Sequence, residues 1–102
     1  LALCFGFKSR SALLRHELAY VLGQMQNRVA LPALIERLDD LHEHVMVRHE
    51  AAEAMGAIGD MSVKSILQKH LTDSNPEVSE SCEVALDLLA WCNTEEWNET
   101  KW

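Results

Sequence analysis

A ten-residue string recurs 33 residues further along the chain, and this repeat limits the possible fold more than any other feature. Arg15, His16, Glu17, Ala19 and Gly23 return as Arg48, His49, Glu50, Ala52 and Gly56. The apolar positions between them are refilled by apolar residues, with Tyr20 against Glu53 as the exception. A third copy, shifted by 31, begins at Val78 and continues through Ser79, Glu80, Ser81, Cys82 and Ala85, without the His-Glu pair. Periods of this length belong to stacked helical pairs, each of which buries its apolar face against its neighbours.

Within the first copy Leu14, Leu18, Val21, Leu22 and Met25 follow helical spacing, and Val47, Ala51, Ala54, Met55 and Ile58 repeat it. Both patterns predict amphipathic helices, over 12–25 and 46–58. A second helix fits 30–38, where Pro32 is tolerable because it sits in the first turn. Its counterpart is 62–71, and Asn75 before Pro76 predicts a last repeat helix over about 77–89. No run alternates β-branched residues, so the expected fold is all-α, an α-solenoid of about three helical pairs. Residues 1–10 form a partial leading segment, 11–90 the repeats, and 91–102 a polar tail. Trp91 is expected to cover the end of the stack, and Trp97 and Trp102 to have no role.

Composition removes several functions. Sixteen acidic against nine basic residues give a net charge of -7, which repels nucleic acid phosphates and draws in cationic partners. No apolar run approaches the roughly 18 residues of a membrane span, and no targeting segment is read. Cys4, Cys82 and Cys92 are odd in number and lack C-x-x-C spacing, which predicts reduced thiols in a soluble cytoplasmic protein, with Cys82 in the core. Asn98, Glu99 and Thr100 fit the glycosylation pattern, which has meaning only in a secreted chain. The chain begins with Leu1, as expected of a fragment, a processed form or an incomplete gene model.

The recurring titratable pairs are the candidate site. On a helical wheel the stripe centres near Leu14 and Met25, His16 lies roughly opposite it and Glu17 at its flank, and His49 and Glu50 share that phase. An isolated His-Glu pair on a helix is usually solvated surface, but repeats diverge most on exposed faces, and here two outward positions agree. Adjacent solenoid helices sit roughly 8–10 Å apart, so His16 and His49 could converge on one metal. Neighbouring residues point about 100° apart, so a His and the Glu beside it should not easily face one atom together. Two imidazoles with either Glu50 or Glu17 would suit ferrous iron, although Zn and Ni also accept imidazole. The other glutamate could bind a second metal or orient a ligand. Arg15 and Arg48 are expected to link repeats, and Gly23 and Gly56 to end helices or allow close packing. His42, His44 and His70 lack a repeat counterpart and are expected to be solvated. Tyr20 reads equally as a substrate contact or as surface.

The first motif with Tyr20, Val21, Leu22, Gly23 and Gln24, the second from Met46 to Ile58, and Glu80 to Asp87 together closely resemble the C-terminal half of the deoxyhypusine hydroxylase family. The match covers about residues 10–89. HEAT-like repeats of the phycobilin-lyase type share the Val-Arg and Ala-Leu-Gly elements but not two spaced His-Glu pairs. The segment Leu1 to Phe7 and the ending after Leu89 depart from the family pattern. The resemblance implies two such halves, four His-Glu motifs and a di-iron centre between the halves. It implies an O₂-dependent monooxygenase that converts deoxyhypusine to hypusine on a eukaryotic translation initiation factor. By the same resemblance His16, Glu17, His49 and Glu50 are metal ligands, and the rest of the site comes from a missing N-terminal half or a second copy. This chain alone would then be inactive. The reading from a different class is a non-catalytic HEAT-repeat scaffold that binds protein on its concave face.

Overall fold

The computed structural model describes residues 2–94. Trp97, Trp102, the Asn98 pattern and most of the polar tail lie outside the described residues. Five helices follow a leading 3-10 segment, Ala2–Lys8: α1 (Ala12–Met25), α2 (Leu31–Asp39), α3 (Val45–Ile58), α4 (Lys64–Lys69) and α5 (Pro76–Cys92). Short 3-10 turns, Arg28–Ala30 and Met61–Val63, lead into α2 and α4. The described residues contain no strand.

Local chemistry sets the helix ends. The Ser11 side chain accepts the Leu14 amide at 3.2 Å and caps α1. The His44 imidazole caps α3 by accepting the Met46 amide at 3.1 Å. At the far end α3 stops at Gly59, whose φ of 75° is left-handed and easiest for a residue without a Cβ. α1 stops at Gln26, also left-handed at φ 52°, and the Gln26 side chain donates to the Ala57 carbonyl at 3.1 Å, tying the end of α1 to the end of α3. Asn75 stands at the N-cap of α5 but makes no side-chain cap bond; its amide donates to Asp73 at 3.0 Å instead.

The repeat helices α1, α3 and α5 lie side by side, α1 on α3 and α3 on α5, with α2 packed behind α3 and α4 behind α5. Glycine sets the closeness of the first layer. A Cβ on Gly23 would lie 2.9 Å from the Ala54 Cα, and one on Gly56 would lie 2.9 Å from the Ala85 Cα. Both glycines sit inside their helices, so their role is close packing and not termination. The core consists of Leu22, Leu34, Leu38, Val47, Ala51, Met55, Leu67, Val78, Cys82 and Leu89, all essentially buried.

The two apolar stripes have different fates. In α3 Val47, Ala51, Ala54 and Met55 are buried as expected. In α1, however, Leu14 is 52% exposed, and Val21 and Met25 are also exposed, because among the described residues α1 is the first repeat helix and the short Ala2–Lys8 segment leans on it where α3 has a full helix on each side. Sequence periodicity marks a face as apolar but does not supply the neighbour that covers it. Trp91 is 40% exposed.

Both arginines link repeats. The Arg15 guanidinium donates to the Glu43 carboxylate at 2.7 and 2.9 Å, and Arg37 joins it at 2.8 Å. Burial pushes the Glu43 carboxyl upward, but the bonds from Arg15, the His44 amide and Arg37 outweigh it and hold it below the ordinary value. Arg48, fully buried, donates to the Leu38 carbonyl at 2.9 Å and to Asp73. The Arg48 bond holds the Asp73 carboxyl far below the ordinary range. His70 is 5% exposed, with ring nitrogens 2.9 Å from Asp39 and 3.2 Å from Asp73, so the expectation that it is solvated fails. It closes the Arg48 network. His42 and His44 are exposed.

Candidate metal centre

Glu50 joins the two motifs. It lies one residue beyond His49 in α3, is 7% exposed, and extends toward α1, where a carboxylate oxygen sits 3.2 Å from His16 Nε2. It also belongs to a group with His49 and Glu53, in which one ligand atom from each lies within 4.8 Å of the others. His49 Nε2 is 3.1 Å from a Glu53 oxygen. Two donors each about 2.1 Å from one ion and at right angles to it stand about 3 Å apart. Both imidazole-carboxylate pairs have that spacing, and nitrogen with carboxylate oxygen is a donor set that first-row metals accept. The residues therefore fit a metal ion.

The electrostatics agree with the geometry. Burial pushes the Glu50 carboxyl up, the Glu53 charge pushes it further, and His16 and His49 only partly offset the rise. Two carboxylates held together and partly dry are costly as anions, and a cation among them removes that cost.

The second ring nitrogens have different partners. His16 Nδ1 lies 3.3 Å from a carboxylate oxygen of Glu17, whose side chain is 59% exposed. His49 Nδ1 is 3.1 Å from the Glu77 carbonyl oxygen and in hydrogen-bond contact with the Ser81 hydroxyl, both on α5. A register rule emerges. Glu50 of the second repeat faces His16 of the first, and Ser81, which occupies the Glu50 position in the third repeat, faces His49 of the second.

Several sequence expectations change here. Glu50 is buried, not outward-facing, because α1 covers it. Although neighbouring residues were expected not to face one atom easily, His49, Glu50 and Glu53 bring one donor atom each within 4.8 Å of one another. The His49 ring leans on α5, and the described metal-capable group does not include His16, which is linked to it through Glu50. Both histidine side chains are about a quarter exposed. Glu17 lies apart, bonded to His16 and beside Leu14, Leu18 and Val21 on the outer side of α1. Tyr20 is 49% exposed. Glu53 was missed, although its signal was present: it is four residues after His49 on one helix face and stands at the one position where the repeats disagree in polarity.

Cys4, Cys82 and Cys92 are free, and burial pushes the Cys82 thiol up to about 11, as befits a packed and unreactive sulfur. No helix among the described residues is long and apolar enough to cross a membrane.

Residues 2–87 match the family of HEAT repeats. A deoxyhypusine hydroxylase of Bos taurus is 54% identical over 85 residues, covering 83% of this chain and 28% of its own length. One of Neurospora crassa is 48% identical over 102 residues, covering 98% of this chain and 32% of its own. A solved structure of human deoxyhypusine hydroxylase in complex with glycerol superposes with a TM-score of 0.86 at 49% identity, over 88% of this chain and 31% of that one. The chain thus spans about three tenths of the length of these relatives.

Proposed function

The chain belongs to the HEAT-repeat family and is related to the deoxyhypusine hydroxylases, and from that premise we propose that it forms the C-terminal half of a deoxyhypusine monooxygenase. The observation that carries the reading is Glu50, a buried carboxylate placed between His16 and the His49-Glu53 pair. His16, His49, Glu50 and Glu53 would hold iron. Glu17 would accept a hydrogen bond from His16 Nδ1–H and thereby leave the His16 Nε2 lone pair for the metal held with Glu50. When bound, iron supplies the activation of O₂ for insertion of oxygen into a C–H bond.

The remaining work falls to the chain's own residues. Glu50, shielded by α1, keeps water from one side of the donor set. A groove of about 300 Å³ opens beside His49, and Glu53, Glu77 and Glu80 line it. Three carboxylates there suit a polyamine-derived cationic side chain, which the deoxyhypusine of a translation initiation factor would present. In this reading the protein is cytoplasmic, and a second iron and the opposing wall of the site come from an N-terminal half or a second copy.

An assay of hypusine formation tests it. The chain alone, supplied with Fe(II) and O₂, should give no turnover, and adding the N-terminal half of a relative in trans should restore it. Robust turnover by this chain as a monomer would contradict the divided site and require a mononuclear one. A chain that binds no iron, and whose protein binding is unchanged by His16→Ala and His49→Ala, would support the scaffold reading instead.

A further inference from the structure

We infer that Met46 is the oxidation-sensitive residue of the candidate metal centre, its thioether taking up oxygen from peroxide when iron is bound. The inference rests on the metal reading above. Met46 stands in the first turn of α3, where its amide donates to the His44 cap at 3.1 Å. His49 follows it by three residues and Glu50 by four, the two helical spacings that put side chains on one face with Cβ atoms about 5–6 Å apart. The Met46 side chain is shared by two hollows that flank the donor set. One, of about 390 Å³, is apolar and has Leu13 and His16 in its wall; the other is the acidic groove beside His49. The thioether thus borders the space beside both histidines.

The other methionines make the claim selective. Met25 is 47% exposed, Met61 46% and Met46 40%, so solvent reaches the three alike, whereas Met55 is fully buried. Met25 closes α1, nine residues beyond His16, a rise of about 14 Å along the helix. Met61 lies past Ile58, the last residue of α3, which is itself nine residues beyond His49. A peroxide reacting in bulk solution meets the three exposed sulfurs about equally, but one reacting at the ion meets Met46 first. The chemistry closes with hydrogen peroxide as the co-reactant. The sulfur gives an electron pair to one peroxide oxygen, an S–O bond forms, the O–O bond breaks, and the other oxygen leaves with both protons as water. Sulfur is oxidised by two electrons, peroxide is reduced by two, and iron is unchanged overall. The product, methionine sulfoxide, is polar where the thioether was apolar, so the oxidation alters the wall common to both hollows and spares the imidazole and carboxylate donors.

The test treats the unmodified chain with limiting hydrogen peroxide when metal-free, when loaded with Fe(II) and when loaded with Zn(II), and reads oxygen gain at each methionine by peptide mapping and mass spectrometry. In the metal-free chain Met46, Met25 and Met61 should oxidise within about threefold of one another, as their similar exposure dictates, and Met55 should lag. With Fe(II), Met46 should run about tenfold ahead of Met25 and Met61. With Zn(II), which accepts the same donors but exchanges no electrons, Met46 should keep its metal-free rate. Glu50→Ala, which loses the ion, should lose the lead of Met46 in the presence of Fe(II). A lead already present in the metal-free or Zn(II) state would mean that exposure alone selects Met46, and would overturn the inference. Titration with Fe(II) separates the remaining outcomes. Iron bound without a lead at Met46 overturns this inference alone, and a chain that binds no iron overturns the metal reading and this inference with it.

Discussion

The Arg-His-Glu string of α1 and that of α3 are identical in sequence, yet one edges the stack and the other lies between two helices. Arg15 shares Glu43 with Arg37, whereas Arg48 lies fully buried on Asp73. The Glu17 side chain is 59% exposed and that of Glu50 is 9% exposed. Identical residues thus acquire different surroundings from their neighbours, and in the proposed site it is the buried copy, Glu50, that joins the two motifs.

The largest expected effect breaks the comparison at the arginines. Arg48→Ala leaves Asp73 buried without its main partner, a loss of about 3–5 kcal/mol, large against the roughly 5–10 kcal/mol that holds a domain of this size together. Arg15→Ala leaves Glu43 with Arg37 and should cost only about 1–2 kcal/mol. Urea unfolding followed by circular dichroism checks both, and equal losses would show that the edge and the centre are energetically alike.

The glutamates come next. Glu50→Ala should weaken Fe(II) binding about a hundredfold, because Glu50 reaches both histidine clusters, and Glu17→Ala about tenfold or less, because it acts through His16 Nδ1. Glu50→Gln should also leave the metal-free chain at least as stable as the unmodified one, since it removes a buried charge. Isothermal titration and thermal melts, run side by side, separate these outcomes.

Much of this was legible in the sequence. The repeat gave the phase of α1, α3 and α5, and the recurrence of His16 with His49 singled out the site face. The covering of each face was not legible, because periodicity does not state what lies beyond it. Leu14 and Val47 carry the same signal, and among the described repeat helices only α3 has another on each side. Glu53 was hidden where it replaces Tyr20, and Ser81 where it replaces a glutamate, because comparison of repeats rewards sameness and reads substitution as loss. His70 has no counterpart at all, and only the fold brings it between Asp39 and Asp73.

A smaller effect should be symmetrical. Gly23→Ala and Gly56→Ala each place a Cβ 2.9 Å from backbone of the next helix. Overpacking of about 1–3 kcal/mol, less about 1 kcal/mol of gained helix propensity, leaves a net loss near 1 kcal/mol for each. Unequal losses would show that the two helix interfaces differ in rigidity as well as in burial.

The smallest effect concerns acid. Asp73 and Glu43 are both held below their ordinary values, so their contribution is present above the unfolded carboxylate range and is lost as pH falls through the folded values. Stability should therefore decline below about pH 4. The decline should be shallower in Arg48→Ala, where Asp73 no longer has its partner, and to a lesser degree in Arg15→Ala, where Glu43 loses its foremost lowering partner but keeps the His44 amide and Arg37.

Anaerobic titration of the metal-free chain with Fe(II), alongside Glu50→Ala, tests the central claim most directly. We expect saturable binding of about one ion per chain, nearly abolished in Glu50→Ala while the helical circular dichroism is retained. No saturable binding, or binding that Glu50→Ala leaves intact, would contradict a metal site built around Glu50.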